Sequence, residues 1–381
     1  MKRKILVISA GRSDYDRYYP ILKCLNKKKN IKMYLFITKA HQDERFGKTF
    51  SFIDKDFSII KNKYNFNDFR KNMTESFSED LSFLVKKIKK INPNLLIVLG
   101  DRFEMLIGPI SVIPNNTPIV HFFGGAITEG AIDELVRHAI TKMSHFHFVA
   151  TESYKKRLIQ LGEEKWRIKN IGVHSLDIFK KNSNKNKKEL GKYFKFDFNK
   201  PYCLVTFHPV TIELKKIKIQ LKNLFYCLKK NKLNIIFTYP NADSKNEIII
   251  KNIISNFNNK NKYLFIKNCG NKNYASIMKN CLFVIGNSSS GLVEAASLKI
   301  PSINIGTRQD GKFKPANVID SDYSKKKILK SIKKALNFKF KKKVKKLKNP
   351  YQRKISVNKV VDILAKLKIN DKLLRKKFIK Y

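Results

Sequence analysis

Short apolar strands alternate with helical stretches along this chain, and the alternation runs twice. Ile5–Ser9 reads as a strand, Tyr18–Leu25 as a helix and Met33–Thr38 as a second strand. Leu95–Leu99, Ile119–Phe122 and Phe146–Ala150 continue the series, separated by helical patterns. Strands of this kind, spaced by helices, call for a parallel sheet covered on both faces. From Asn182 to Lys200 the chain turns polar and rich in Lys and Asn. The alternation then restarts with Cys203–Phe207, Ile235–Thr238, Leu264–Ile266, Leu282–Ile285 and Ser302–Ile305. The expected fold class is α/β, with two doubly wound domains facing each other across an interdomain cleft. The expected boundaries are 1–180 for the first domain, 181–200 for a polar linker and 201–350 for the second domain. In 351–381, Val357, Val360, Val361, Leu364 and Leu367 recur at helical spacing and predict a helix with one buried face. In such sheets ligands sit beyond the carboxyl ends of the strands.

Composition agrees with this plan. A length of 381 residues fits two domains at about 150 residues each. Hydrophobic residues make up 43%, enough for two cores and against wholesale disorder. No apolar run approaches the ~20 residues that span a bilayer, which excludes an integral membrane protein. The stretch Ile5–Ala10 is too short for a signal peptide and is closed by Arg12. The five cysteines are scattered with no C-x-x-C pair, arguing against a disulfide framework or structural zinc and for a reducing cytoplasm. The net charge of +50 invites a nucleic-acid reading. The surplus is mostly Lys, spread along the chain beside abundant Asn, Ile and Phe, as an AT-rich coding bias produces. No nucleic-acid-binding module accompanies it, so a solvated basic surface is the expectation and no specific nucleic-acid partner.

Several segments at strand ends carry candidate chemistry. Ser9-Ala-Gly-Arg-Ser-Asp14 follows the first strand, where Gly11 lets backbone approach a ligand and Arg12 can pair with phosphate. Gly100-Asp-Arg102 puts a carboxylate and a guanidinium at another strand end, with Asp101 also suited to capping the next helix. His121-Phe-Phe-Gly-Gly-Ala126 leads into Ile132-Asp-Glu-Leu-Val-Arg-His138. There Asp133 and Arg137 are four apart, as are Glu134 and His138, so acid, base and cation share one helix surface. Such pairs also serve stability alone. His208 closes the first strand of the second domain, whereas His145 and His147 read as structural. Gly286-Asn-Ser-Ser-Ser-Gly291 opens a predicted helix through Leu292–Ser297, a Ser/Gly-rich cap or an anion site, with Glu294 one turn in. Gly306–Lys312 imitates a phosphate-binding P-loop, but Phe313 stands where Ser or Thr would hold Mg²⁺ and Pro315 opposes a helix, so an ATPase is rejected.

Together these segments resemble the hydrolysing UDP-N-acetylglucosamine 2-epimerases of bacterial sialic-acid synthesis. The resemblance runs from about Lys4 to Asp320. It is carried by Gly11–Asp14, His41 with Phe46-Gly47, Gly100–Glu104, Gly124-Gly125, Thr128–Glu134 and Arg137–Met143. It continues through Gln160–Glu163, His208-Pro209, Ile285–Gly291 and Gly306–Gln309. It implies two Rossmann-like domains of the glycosyltransferase-B type, with the C-terminal helix crossing back to the first. It implies conversion of UDP-N-acetylglucosamine to N-acetylmannosamine and UDP, by anti elimination to a 2-acetamidoglucal and hydration. Neither NAD nor a metal is implied as cofactor, and a homodimer or homotetramer is. By the resemblance the catalytic group is Asp101, Asp133 or Glu134, Arg137 and His208, with Asp101 and Asp133 moving protons and Arg137 and His208 steadying the diphosphate or donating a proton. Arg12, Arg102, His138, Ser288, Ser289, Ser290, Gly291, Glu294 and Arg308 would hold the UDP-sugar.

Two positions depart from the family pattern. Phe123 stands where a polar Glu or His is usual, and Ala126 where Glu usually follows Gly-Gly. Either Asp133, Glu134 or Glu129 covers the proton-transfer role, or the sugar differs, or the protein is a catalytically impaired UDP-sugar binder. A UDP-2,4-diacetamido-2,4,6-trideoxyhexose of the legionaminic-acid route is the nearest alternative substrate. A retaining glycosyltransferase and a non-hydrolysing epimerase are the more distant alternatives.

Overall fold

The structure, a computed structural model, describes residues 2–43, 49–64, 73–129, 132–240 and 246–379, without the side chains of Arg12, Ser13 and Thr211. The chain divides into two compact units, the first made of Met1–Ala126, Ile132–Ser175 and Arg353–Tyr381, the second of Ile127–Ala131 and Leu176–Gln352.

Seven strands build the sheet of the first unit: β1 (Arg3–Ser9), β2 (Ile31–Ile37), β3 (Ser58–Lys61), β4 (Leu95–Leu99), β5 (Ile119–Phe122), β6 (Phe146–Val149) and β7 (Ile168–Asn170). Their order is β3-β2-β1-β4-β5-β6-β7, and every pairing is parallel. Ile5 to Ile8 and all of β4 are buried, as central strands covered on both faces require. The second unit repeats the plan with six strands: β8 (Tyr202–Thr206), β9 (Asn234–Thr238), β10 (Tyr263–Ile266), β11 (Val284–Gly286), β12 (Ser302–Ile305) and β13 (Val318–Ser321). Their order is β10-β9-β8-β11-β12-β13, again all parallel. Strand order reverses direction between β1 and β4 in one sheet and between β8 and β11 in the other. At such switch points the connections leave to opposite sides, and a crevice opens beyond the carboxyl ends.

The strand set and the polar stretch after Asn182 both differ from the sequence reading. The structure adds β3, β7 and β13, all sheet-edge strands whose mixed burial leaves no continuous apolar run. The polar stretch 181–200, expected as a linker, holds the helix Lys187–Phe194, opened by a reciprocal Asn186–Glu189 capping box. Leu190, Phe196 and Phe198 from this stretch are buried in one cluster with Tyr202. The Lys and Asn residues are the outer face of a packed element, and the long span of the second unit starts at Leu176.

The C-terminal segment belongs to the first unit. Helix Val357–Lys366 buries Val360, Val361 and Leu364 and packs on the helix Arg12–Asn26. Arg3 Nη1 donates to the Leu364 carbonyl at 2.8 Å, and Lys28 pairs with Asp362. Beyond it, the fully buried Arg167 donates to the carbonyls of Lys372, Leu373 and Arg375 at 2.9, 2.7 and 3.1 Å, and to His145 O at 3.0 Å. Its counter-charge is Glu164 at 2.6 Å. The chain's single tryptophan, Trp166, stacks under this guanidinium. Removing one member of a buried charge network leaves the others uncompensated, at a cost of about 3 kcal/mol. Arg167→Met should therefore lower the stability of the first unit by about that much. Trp166 fluorescence during urea unfolding reads it, and an unchanged midpoint would show that tail docking does not depend on Arg167.

Candidate active site

The switch point of the first unit is built from three strand ends. At the end of β1, the Asp14 carboxylate accepts from the amides of Ala10 and Gly11 at 2.6 and 3.2 Å, folding the turn back on itself. Gly11 has φ −178°, extended backbone open to any residue, so its glycine is not demanded by conformation. Ser9 Oγ meets His41 Nε2 at 2.9 Å, and His41 Nδ1 meets Thr49 Oγ1 at 3.0 Å. Burial pushes the Asp14 carboxyl up to about 6 against the nearby Arg102 charge. Burial and the same Arg102 charge push His41 down to about 3, so its ring is neutral. Ser9 and His41 are fully buried, so this cluster shapes the turn and offers no accessible nucleophile.

The ends of β4 and β5 meet the helix Ile132–Met143. Gly100 turns the chain out of β4 at φ +74°, where its amide donates to Phe122 O at 2.8 Å. Asp101 then reaches Arg137, whose Nε donates to it at 3.0 Å and whose second guanidinium nitrogen joins the same oxygen. Arg137 Nη1 also donates to Glu134 at 2.5 Å and to the Ala126 carbonyl at 2.9 Å. Glu134 in turn accepts from His138 Nε2 at 2.8 Å. The Arg137 side chain is 0% exposed, whereas those of Asp101 and Glu134 are 27% and 23% exposed. The cation is therefore internal and the carboxylates face outward, placed to exchange protons with a bound molecule. The N-cap position of the next short 3₁₀ helix is Arg102, which pairs with Glu104 at 2.8 Å.

The turn after β5 is tightly held. Phe123 sits at φ +64°, costly for a bulky side chain, with its amide donating to Phe148 O at 2.6 Å. A Cβ on Gly125 would stand 2.5 Å from the Tyr154 carbonyl, so the Gly-Gly pair is required by close approach. Behind the turn, His121 Nε2 donates to Gly100 O at 2.8 Å and Nδ1 meets Thr141 Oγ1 at 3.2 Å. Burial holds His121 down at about 3, consistent with a neutral ring carrying its proton on Nε2.

The second unit uses its own switch point. After β11, a Cβ on Gly286 would stand 1.9 Å from the Thr206 carbonyl, so only glycine lets the loop pass β8. Asn287 then grips the turn after β8. Its Oδ1 accepts from the His208 amide at 2.7 Å and its Nδ2 donates to the His208 carbonyl at 2.8 Å. Gln309 Nε2 and Arg308 Nη1 donate to the Asn287 carbonyl at 2.7 and 3.3 Å. Ser288, Ser290 and the Tyr274 hydroxyl form a hydroxyl chain with links of 3.0 and 2.8 Å. Here the sequence reading needs correction. Leu292–Ser297 is not one helix but a 3₁₀ turn, Ser289–Gly291, followed by a single helical turn, Glu294–Ser297. It ends there because Lys299 turns left-handed before Pro301.

Of the residues singled out in the sequence, Asp101, Glu134, Arg137 and His138 form one hydrogen-bonded set in the first unit. Asp133 lies beside Glu134 on the same helix, and Arg102 follows Asp101. His208, Ser288, Ser289, Ser290, Gly291, Glu294 and Arg308 gather at the second switch point. The Arg12 side chain, Phe46, Gly47, Gly130 and Ala131 lie outside the described residues. Sequence reasoning missed Asn287 and Gln309 as supports of the His208 turn, and His121 and Thr141 as supports of Gly100. Among the described residues, no group of three or more His, Cys, Asp and Glu is arranged to hold a metal ion. No described helix is long and apolar enough to cross a membrane.

A GDP/UDP-N,N'-diacetylbacillosamine 2-epimerase (hydrolyzing) of Campylobacter jejuni is 38% identical over 326 residues, 84% of this chain and 85% of its own. A UDP-N,N'-diacetylbacillosamine 2-epimerase (hydrolyzing) of Legionella pneumophila is 34% identical over 340 residues, 88% of this chain and 90% of its own. The crystal structure of UDP-GlcNAc 2-epimerase from Neisseria meningitidis bound to UDP-GlcNAc superposes with a TM-score of 0.77 at 19% identity, covering 96% of this chain and 99% of that one. The shared architecture is the two-sheet glycosyltransferase-B type. The sequence profile of UDP-N-acetylglucosamine 2-epimerase matches residues 23–365, and the chain belongs to that family.

Proposed function

We propose that this protein is a hydrolysing 2-epimerase of a UDP-2,4-diacetamido-2,4,6-trideoxyhexose, releasing UDP and the free 2-epimeric sugar. The observation that carries this reading is the identity, 38% and 34% over more than four-fifths of the chain, to two enzymes named for N,N'-diacetylbacillosamine substrates. Phe123 and Ala126 support it. Both are apolar residues on the turn beside Asp101 and Arg137, and a 6-deoxy sugar carries a methyl group where N-acetylglucosamine carries a hydroxymethyl. UDP-N-acetylglucosamine, giving N-acetylmannosamine, is the second reading, favoured by the family profile itself.

The chemistry balances without a cofactor. A carboxylate takes the proton from C2, the C1–O bond breaks, and its electron pair leaves with UDP. Water then adds hydroxide to C1 and a proton returns to C2 from the opposite face. Asp101 and Asp133 are assigned to moving these protons, with Glu134 the alternative to Asp133. Arg137 is too deeply buried to reach a diphosphate and is assigned to holding Asp101 and Glu134 in place. His208 is assigned to steadying the leaving diphosphate. Ser288, Ser289, Ser290, Gly291, Glu294 and Arg308 are assigned to UDP, with Arg12, Arg102 and His138 toward the sugar phosphate.

Proton NMR in D₂O with UDP-N,N'-diacetylbacillosamine should show the free 2-epimeric sugar carrying deuterium at C2, with UDP appearing in step. A UDP-linked epimer as product would contradict hydrolysis, and turnover of UDP-N-acetylglucosamine alone would select the second reading. Asp101→Asn should lower kcat by about 10²–10⁴ while UDP still binds. A kcat near wild type would remove Asp101 from the proton relay.

A further inference from the structure

The Gln160-Leu-Gly-Glu163 segment has no role in the mechanism above, yet Glu163 is fully buried and charged. Its carboxylate takes His147 Nε2 at 3.1 Å, Lys142 Nζ at 3.0 Å and Lys376 Nζ at 2.9 Å. Burial opposes the charge, but the His147 N–H and the Lys376 ammonium overcome it and hold the carboxyl at about 2. Lys376 arrives from the far end of the chain, on the tail that Arg167 clamps. The same ammonium donates to the carbonyls of Thr141 and Lys142 at 3.4 and 2.8 Å. These are last-turn carbonyls of the helix Ile132–Met143, and the Thr141 carbonyl also accepts from the Ser144 amide at 3.1 Å. A cation there adds a donor to the helix end and complements the helix dipole.

That helix carries Asp133, Glu134, Arg137 and His138 toward its other end. A second tie leaves the same last turn. Thr141 Oγ1 meets His121 Nδ1, and His121 Nε2 holds the Gly100 carbonyl beside Asp101. The last turn of the helix and the Asp101 turn are thus referenced to one buried anchor. We propose that Lys376 is a positioning residue for the reaction assigned above, fixing the helix Ile132–Met143 so that Arg137 and Glu134 meet Asp101 in register. The inference rests on that reading for its kinetic consequence but not for its structural one. Lys376 touches no reacting atom. It acts through the helix end.

The full chain with Lys376→Met tests this, beside Lys376→Arg and Tyr202→Phe. The last removes only a hydroxyl donating to Ile277 O in the second unit and controls for general destabilisation. With UDP-N,N'-diacetylbacillosamine, Lys376→Met should lower kcat about tenfold, as slight misplacement of a proton-transfer group does. Its KM should stay within about twofold, and Lys376→Arg should recover most of the rate. Amide hydrogen exchange should quicken in Lys376→Met at 100–106 and 132–138, away from the substitution, and remain slow there in the other two variants. A wild-type kcat in Lys376→Met, or faster exchange confined to 370–379, overturns the proposal. If the unsubstituted protein turns over neither UDP-sugar, the functional reading has failed. The exchange pattern alone then decides whether Lys376 positions the helix.

Discussion

A guanidinium with no solvent exposure organises the first unit. Moving such a charge out of water costs several kcal/mol unless charged and polar partners replace the lost hydration. Arg137 finds them in Asp101, Glu134 and the Ala126 carbonyl, and those partners come from three places in the chain. One is the turn after β4, one the turn after β5, and one the helix that bears Arg137 itself. The requirement to neutralise one internal cation therefore brings together the elements from which a proton relay can be made. Asp101 and Glu134 keep part of their surface open to solvent, whereas Arg137 keeps none.

The second unit holds its turn after β8 chiefly through amide groups. Asn287 takes both the amide and the carbonyl of His208, and its own carbonyl accepts from Gln309 and Arg308. Gly286 is the precondition, since any side chain there would strike the backbone of β8. Both units place their polar groups where the strand order reverses, at carboxyl ends flanked by diverging connections. The same topology thus carries ionic contacts at one switch point and mainly amide and hydroxyl contacts at the other.

Central strands were legible in the sequence because both faces are buried and the apolar run is continuous, as in β4. The edge strands β3, β7 and β13 were not, because their half-exposed pattern resembles a loop. The packed segment after Asn182 was hidden by its Lys and Asn face, although Leu190, Phe196 and Phe198 marked the buried side. Among site residues, the spacing within Ile132–His138 was readable, and it led to the Glu134–His138 pair. The partnership of Arg137 with Asp101, 36 residues earlier, depends on the register of neighbouring strands, which local spacing does not carry. In the sequence His121 is only the start of a glycine turn, and Asn287 is one asparagine in a chain full of them. Neither residue type announces a backbone clamp. Only the folded neighbours reveal it.

If carboxylates held by Arg137 drive loss of UDP, the bond that breaks is the one between C1 and oxygen. Turnover in ¹⁸O-enriched water, followed by phosphorus NMR of the released UDP, tests it most directly. The β-phosphate should carry no ¹⁸O, because water adds to the sugar and the bridging oxygen departs with UDP. An ¹⁸O-shifted β-phosphate signal would mean that water attacks phosphorus, and would contradict the elimination chemistry assigned to Asp101, Asp133 and Glu134.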